Sequence, residues 1–458
     1  MFQASPPSRT RKIYISYAFT NLAGRSMSGK EAVTKIQAVV VAVVLVVAVV
    51  AGAVYYYMSI PTSVTITKTP IKIGFSMPLT GSIAGGGQMA LLALKIWLED
   101  VNSAGGILGR PVEFVYYDDH SNPSDLLPIY EKLITVDNVD FIIGSYGTGM
   151  NTALIPIAQK YNRTVLCLFA SGANEKYEYP YAFICEPSGP RGYYDFDVAF
   201  FEAIKDLQPK PTRIAIVYIA NEHGEFVTRY VAELAPKYGF EVIYRQSYPV
   251  TTTDFVSVLL PVKALDPDIV FIGSYPTDTV GLIKAAKEID LKPKIFGGGM
   301  VGPQYGNIEL TLGKYLNGIM VFHYWVPAPP LMFPGVAELL AKYQSRAPIL
   351  GVDPLGYYLA PWAYAQMQIL QQAIEATGSL DQKKVGDFIG THKFNTVAGE
   401  IEFAPPMNEF KECKVLWIQF QGLEKGDLEE FKSAAHYVVL WPPQYKSGNL
   451  VYPFPGWS

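Results

Sequence analysis

Apolar residues along this chain fall in short runs, separated by longer stretches in which they recur every three or four positions. Residues 71–77 form a run of strand length, followed by a glycine-rich loop over 81–87. Residues 88–103 carry apolar side chains at 90, 94, 97, 98 and 101, the stripe of a helix packed on one face. A second run at 112–117 ends in Asp118-Asp119. Asn122-Pro123 then supplies a capping residue and a first-turn proline for a helix to about residue 135. Runs at 141–143 and 165–169 flank a helix over 153–161. Strands alternating with helices in this way predict a parallel sheet covered on both faces.

Residues 142–151, Ile-Ile-Gly-Ser-Tyr-Gly-Thr-Gly-Met-Asn, join the third strand to its helix. In an open parallel sheet, ligands settle outside the carboxyl ends of the strands. A helix starting there aims unpaired N–H groups at that space. Glycine lets the backbone come close to a ligand.

After Gly192 the alternation restarts. Strands are expected at 213–218, 241–248, 269–272 and 294–296, and helices at 224–238, 255–265 and 277–289. The repetition predicts an α/β chain of two doubly wound parallel-sheet lobes. A strand at 318–322 precedes a proline-rich segment over 326–334, and helices follow at about 335–344, 357–376 and 381–390. Residues 399–439 read as β-rich, and Trp441-Pro442-Pro443 opens an irregular end.

The N-terminus differs from all of this. No charged residue occurs from Ile36 to Thr67, and residues 38–58 are almost wholly apolar. A helix over those residues can cross a bilayer core. Tyr55, Tyr56 and Tyr57 suit an interfacial belt, and Arg9, Arg11, Lys12, Arg25, Lys30 and Lys35 stand ahead of the run against Glu31 alone. That asymmetry places residues 1–35 in the cytoplasm, 36–58 in the membrane and everything later outside. A tether over 59–70 follows. Ala51-Gly52-Ala53 resembles a signal-peptidase site, so a form secreted after cleavage near Ala53 is the alternative.

In 458 residues, 50% are hydrophobic and 17% charged, with a formal net charge of −4. That balance gives no support to nucleic-acid binding. Three cysteines make no disulfide framework; Cys167 and Cys185 fall in expected strands as buried thiols, with a bridge between them as the alternative. The five histidines show no metal-ligand spacing, and neither metal nor cofactor is expected. Residues 147–152 give half of a dinucleotide fingerprint but follow the third strand and lack its last glycine. An enzyme is therefore not expected, and a nucleotide-dependent α/β enzyme is the distant alternative.

Further motifs carry a resemblance. They are Ile71-Lys72-Ile73-Gly74-Phe75, Pro78-Leu79-Thr80-Gly81, Asn102-Ser103-Ala104-Gly105-Gly106-Ile107-Leu108-Gly109-Arg110-Pro111-Val112 and Tyr117-Asp118-Asp119. Arg213-Ile214-Ala215-Ile216-Val217, Gly224, Asp254-Phe255 and Pro267-Asp268-Ile269-Val270 continue them. Over roughly 71–445 the chain resembles the type I periplasmic binding proteins of ABC importers, specifically the branched-chain amino acid (leucine/isoleucine/valine) group.

The resemblance implies two lobes joined by three crossovers, 71–190 plus 325–398 and 191–324 plus 399–445, with 446–458 as a tail. It implies a small-molecule solute trapped between them and handed to ABC permease subunits in the membrane. A ligand-sensing ectodomain of the same fold is the alternative. The resemblance places Thr148, Gly149, Ala170, Ser171 and Gly172 at the ligand's carboxylate or amide end. From the second lobe it brings His223, Tyr275 and Asp278; Tyr357 or Tyr358 falls where the family has an apolar or aromatic wall, and Met300, apolar and adaptable, is a further candidate contact. Asp118-Asp119 are expected to orient loops, and Trp325 to pack at a crossover. The family's acid for a ligand ammonium should fall near Gly299-Met300, where none stands, and its first-loop aromatic falls on Gly85–Gly87. The expected ligand is an amide or carboxylate without an essential ammonium, Asp278 or Glu222 being the substitute acids if one is needed.

Overall fold

A computed structural model describes residues 40–50 and 69–457. Residues 40–50 form a helix (α1) whose valines are more than half exposed. No helix among the described residues is long and apolar enough to cross a membrane. The expected basic N-terminus, residues 36–39 and 51–58 of the apolar segment, and the tether up to residue 68 lie outside the described residues.

From residue 71 onward the runs become strands. β1 (Ile71–Met77), β2 (Val112–Asp118), β3 (Phe141–Tyr146), β4 (Val165–Leu168) and β5 (Ala182–Cys185) form one parallel sheet in the order β2-β1-β3-β4-β5. Its helices include α2 (Ala84–Ser103), α3 (Leu126–Thr135) and α4 (Thr148–Lys160). The chain then forms α5 (Tyr193–Ile204), which the residue pattern did not predict, because Asp195, Asp197 and Glu202 interrupt its apolar stripe.

β6 (Arg213–Ile219), β7 (Glu241–Tyr248), β8 (Ile269–Gly273), β9 (Ile295–Gly298) and β10 (Met320–His323) repeat the first order as β7-β6-β8-β9-β10. They alternate with α6 (Glu222–Leu234), α7 (Phe255–Ala264) and α8 (Pro276–Glu288), and α9 (Gly306–Leu312) follows β9. The second sheet is not wholly parallel. β15 (Leu416–Phe420) and β16 (Tyr437–Trp441) add antiparallel strands beside β10. The connection over 421–436 holds only the four-residue helix α13 (Leu428–Phe431) and a short turn, with no helix long enough to carry the chain back across the sheet for a parallel return.

Between β10 and β15 the chain returns to the first sheet. There α10 (Val336–Leu350) and α11 (Ala360–Thr377) pack on α2, and α12 (Gln382–Ile389) packs on α11. Small hairpins, β11 (Phe394–Thr396) with β12 (Gly399–Ile401) and β13 (Phe403–Ala404) with β14 (Glu409–Phe410), lead back. The chain thus passes from one sheet to the other three times. The last residues are irregular but docked: Phe454 and Trp457 pack on Phe296, and the Trp457 indole N–H donates to the Leu291 carbonyl at 2.9 Å.

Candidate functional site

Each sheet has one switch point, where the strand order turns back: between β1 and β3 in the first, and between β6 and β8 in the second. Such points open a crevice at the strands' carboxyl ends. A cavity of about 420 Å³ lies there, lined from the first sheet by Ser82, Ser121, Gly147, Gly149 and Thr152 and from the second by Asn221, Glu222, His223 and Tyr275.

α4 starts at Thr148, five residues before the pattern-based start at Ala153. Gly147, at φ +104°, makes the turn from β3 that a residue with a Cβ would strain to make. The buried Asn151 amide holds the start in place by donating to the carbonyls of Ser145 (2.7 Å), Gly147 (3.0 Å) and Leu168 (3.2 Å). No side chain caps this helix end, so its first amides face the crevice with their partial positive charge. Glu222, from the other sheet, comes close to it: a Cβ added at Gly149 would lie 3.3 Å from a Glu222 carboxylate oxygen.

Beneath the cavity lies a void of about 20 Å³ with aromatic walls, including Tyr146, Phe169, Tyr193, Phe322, Tyr324 and Tyr358. Gly147, His223 and Tyr275 line both spaces. Tyr146 Oη bonds Tyr305 Oη at 3.1 Å and donates to Tyr358 Oη at 3.3 Å. Burial lifts the Tyr146 phenol to about 12 and holds those of Tyr193, Tyr305, Tyr324 and Tyr358 well above the usual range, so all are protonated. His223 stacks on Tyr275 with ring centroids 4.9 Å apart, and burial lowers its pKa to about 4, leaving it neutral.

Of the residues the sequence suggests, Thr148, His223, Tyr275 and Tyr358 line the void, and Gly149 lines the larger cavity. Ala170, Ser171 and Gly172 follow β4 but line neither space. The Ser171 N–H donates to Glu186 at 2.7 Å and the Gly172 N–H to Glu409 at 2.8 Å, so two amides expected for a ligand already hold carboxylates. Asp278 caps α8, accepting from the Tyr275 N–H at 3.1 Å, and also accepts from the Tyr248 hydroxyl. Met300 is fully buried, bridged to Ser274, and lines neither space.

Of the glycines at 85–87, Gly86 and Gly87 leave no room for a ligand. A Cβ on Gly86 would meet the Tyr146 ring at 2.3 Å and Tyr305 Oη at 2.6 Å, and one on Gly87 the Pro78 carbonyl at 2.0 Å. Asp118 orients the loop above, accepting from the N–H groups of Leu79 and His120 (2.9 and 2.8 Å), while buried Asp119 ties Ser76 to Ser145. Trp325 packs on Tyr357 and donates to the Leu331 carbonyl. The thiols of Cys167, Cys185 and Cys413 are free.

The pattern of residues did not single out Glu186, Tyr193, Tyr305 or Tyr324. Glu186 carried one available signal, an acid standing directly after a strand of a parallel sheet, where crevices form. Among the described residues no cluster of side chains is arranged to hold a metal ion.

Comparison with known proteins agrees with this architecture. A leucine-, isoleucine-, valine-, threonine- and alanine-binding protein of Pseudomonas aeruginosa is 24% identical over 373 residues, covering 81% of this chain and 90% of its own. A branched-chain amino acid transporter substrate-binding protein of Streptococcus pneumoniae, solved with isoleucine, superposes with a TM-score of 0.65 at 18% identity, over 78% of this chain and 98% of that one. A solute-binding protein of an ABC transporter from R. palustris, solved with benzoate, superposes with a TM-score of 0.63 at 17% identity, over 84% and 97%. At these identities the two solved structures show the fold alone. The family model described as periplasmic binding protein matches residues 70–420, and the chain belongs to that family.

Proposed function

We propose that this protein is the extracytoplasmic solute-binding receptor of an ABC importer, capturing a small solute between its two sheets and delivering it to membrane permease subunits. One observation carries the reading: a cavity of about 420 Å³, within the range of small-molecule sites, lies where the switch points of both sheets meet. The lobes are 71–190 plus 325–398 and 191–324 plus 399–445, joined by the three crossings. The apolar segment 36–58 anchors them to the membrane.

The solute is amino-acid-like, an amide or a carboxylate. Its acceptor end fits the uncapped start of α4 at Thr148 and Gly149, beside the hydroxyls of Ser82, Ser121 and Thr152. Loop 170–172 does not serve, because the Ser171 and Gly172 amides are committed to Glu186 and Glu409. No reaction is part of this reading. Native mass spectrometry of the purified protein tests it: a co-purifying small molecule, released on unfolding, is expected. Failure to find one, together with no melting shift in a screen of amino acids, amides and organic acids, would sink the assignment.

A further inference from the structure

Glu186 follows β5 at the floor of the crevice and is 2% exposed. One oxygen accepts the Ser171 N–H at 2.7 Å and the other the Tyr324 hydroxyl. A second carboxylate, Glu409, is fully buried on the far side of the same loop, taking the Gly172 N–H at 2.8 Å and the Ser171 hydroxyl at 3.2 Å. Neither acid belongs to an ion pair among the described residues, and neither Lys nor Arg lines the void or the cavity above it. Buried carboxylates without a cation are costly, and a cation supplied from outside removes part of that cost.

The void beside Glu186 is shaped for such a guest. Its walls are ring faces and edges: Phe169 stands 4.7 Å from Tyr324 and 5.0 Å from Tyr358, and Phe322 5.2 Å from Tyr324. Rings of this kind attract a cation across their faces. A volume of about 20 Å³ suits one group the size of a water or an ammonium. His223 shares this wall. It is 6% exposed and lines the void, its Nδ1 lies 3.4 Å from the Tyr193 hydroxyl, and the Gly299 backbone is within reach of its ring.

We infer that Glu186 is the specificity-determining acceptor for an ammonium head of the captured solute, the head entering the aromatic void while the body fills the larger cavity. The inference rests on the receptor reading and narrows its solutes to amines, amino acids among them. It moves the ammonium partner from the expected place near Gly299-Met300, and from Asp278 or Glu222, to the end of β5. Burial holds the Glu186 carboxyl at about 7 in the empty site, and a bound ammonium draws it back to the ionised form.

Calorimetric titration and melting of the wild type, Glu186→Gln and Glu222→Gln test this at pH 7.5. The probes are L-leucine, L-isoleucine, L-valine and L-phenylalanine, each with its des-amino acid, and benzoate. At least one amino acid should bind the wild type while its des-amino partner binds roughly tenfold more weakly or worse, and Glu186→Gln should remove that preference. The wild-type comparison stands even where a variant fails to fold. Equal binding of an amino acid and its des-amino partner, binding of benzoate alone, or a loss confined to Glu222→Gln overturns the inference and leaves the receptor reading intact. If no probe binds, the inference falls, and the mass-spectrometric search decides the receptor reading separately.

Discussion

At Asp278 the carboxyl group serves its own helix. Burial raises its pKa to about 6, against the opposing hydrogen bonds from Tyr248 and the Tyr275 N–H. A carboxyl raised on folding binds more protons in the native state than in the unfolded one. Its contribution is therefore full below the unfolded value near 3.8 and is lost as pH rises through about 6. Asp278→Asn cannot titrate. The stability of wild type relative to this variant should thus fall between pH 4 and 6.5, by on the order of 2–3 kcal/mol. Urea titrations at a series of pH values measure it. Solute affinity at pH 7.5 should stay within about twofold, because the bonds of Asp278 are internal. A tenfold loss would place Asp278 in the site after all. Thr148, His223 and Tyr275 came from the family resemblance, and their positions just after strand ends in sequence agree with it. Tyr305 was not legible, since it meets Tyr146 across 159 positions of chain, a proximity no local pattern carries.

The elements were legible wherever period and punctuation agreed, and β1 and β7 occupy the expected ranges residue for residue. Two helix starts were not. Three consecutive glycines read as a loop on propensity, yet they lie inside α2, because Gly86 admits the rings of Tyr146 and Tyr305 and Gly87 packs on the Pro78 carbonyl. Close approach across the fold overrides helix propensity there. At α4 the Gly-Thr-Gly sequence likewise read as a loop. The helix reaches back to Thr148 because Asn151 satisfies three carbonyls at the strand ends, and Gly144 leaves the space its amide occupies. That early start brings the helix's free amides to the crevice. β15 and β16 fall largely within the expected β-rich stretch 399–439, but their antiparallel direction was not legible: strand runs carry no direction, and direction follows from the connection.

Seen whole, the two sheets share one strand order and face a common cavity, joined by three crossings of the chain. Contacts such as Tyr146 with Tyr305 belong to a closed arrangement, and a solute touching both sides should favour it over more open ones. Small-angle scattering should therefore show a smaller radius of gyration at saturating solute than without it, and an unchanged radius would argue against hinged lobes. The remaining question at this scale is how the receptor stays near its permease. Residues 38–58 number 21, and a helix over all of them would span about 31 Å, close to the thickness of a bilayer core. Six basic residues against Glu31 precede them, and no charge follows until Lys68. Such a segment should insert with its N-terminus in the cytoplasm and its receptor outside. The full-length protein is expected in the membrane fraction, resistant to high salt and alkaline washing, whereas a chain lacking residues 1–58 should be recovered in the soluble fraction. Protease added to intact cells, or to spheroplasts where an outer membrane intervenes, should degrade residues 71–457. Protection of that region would reverse the orientation. Soluble protein beginning near Val54 would show instead that Ala51-Gly52-Ala53 is cut and that the helix serves only for export.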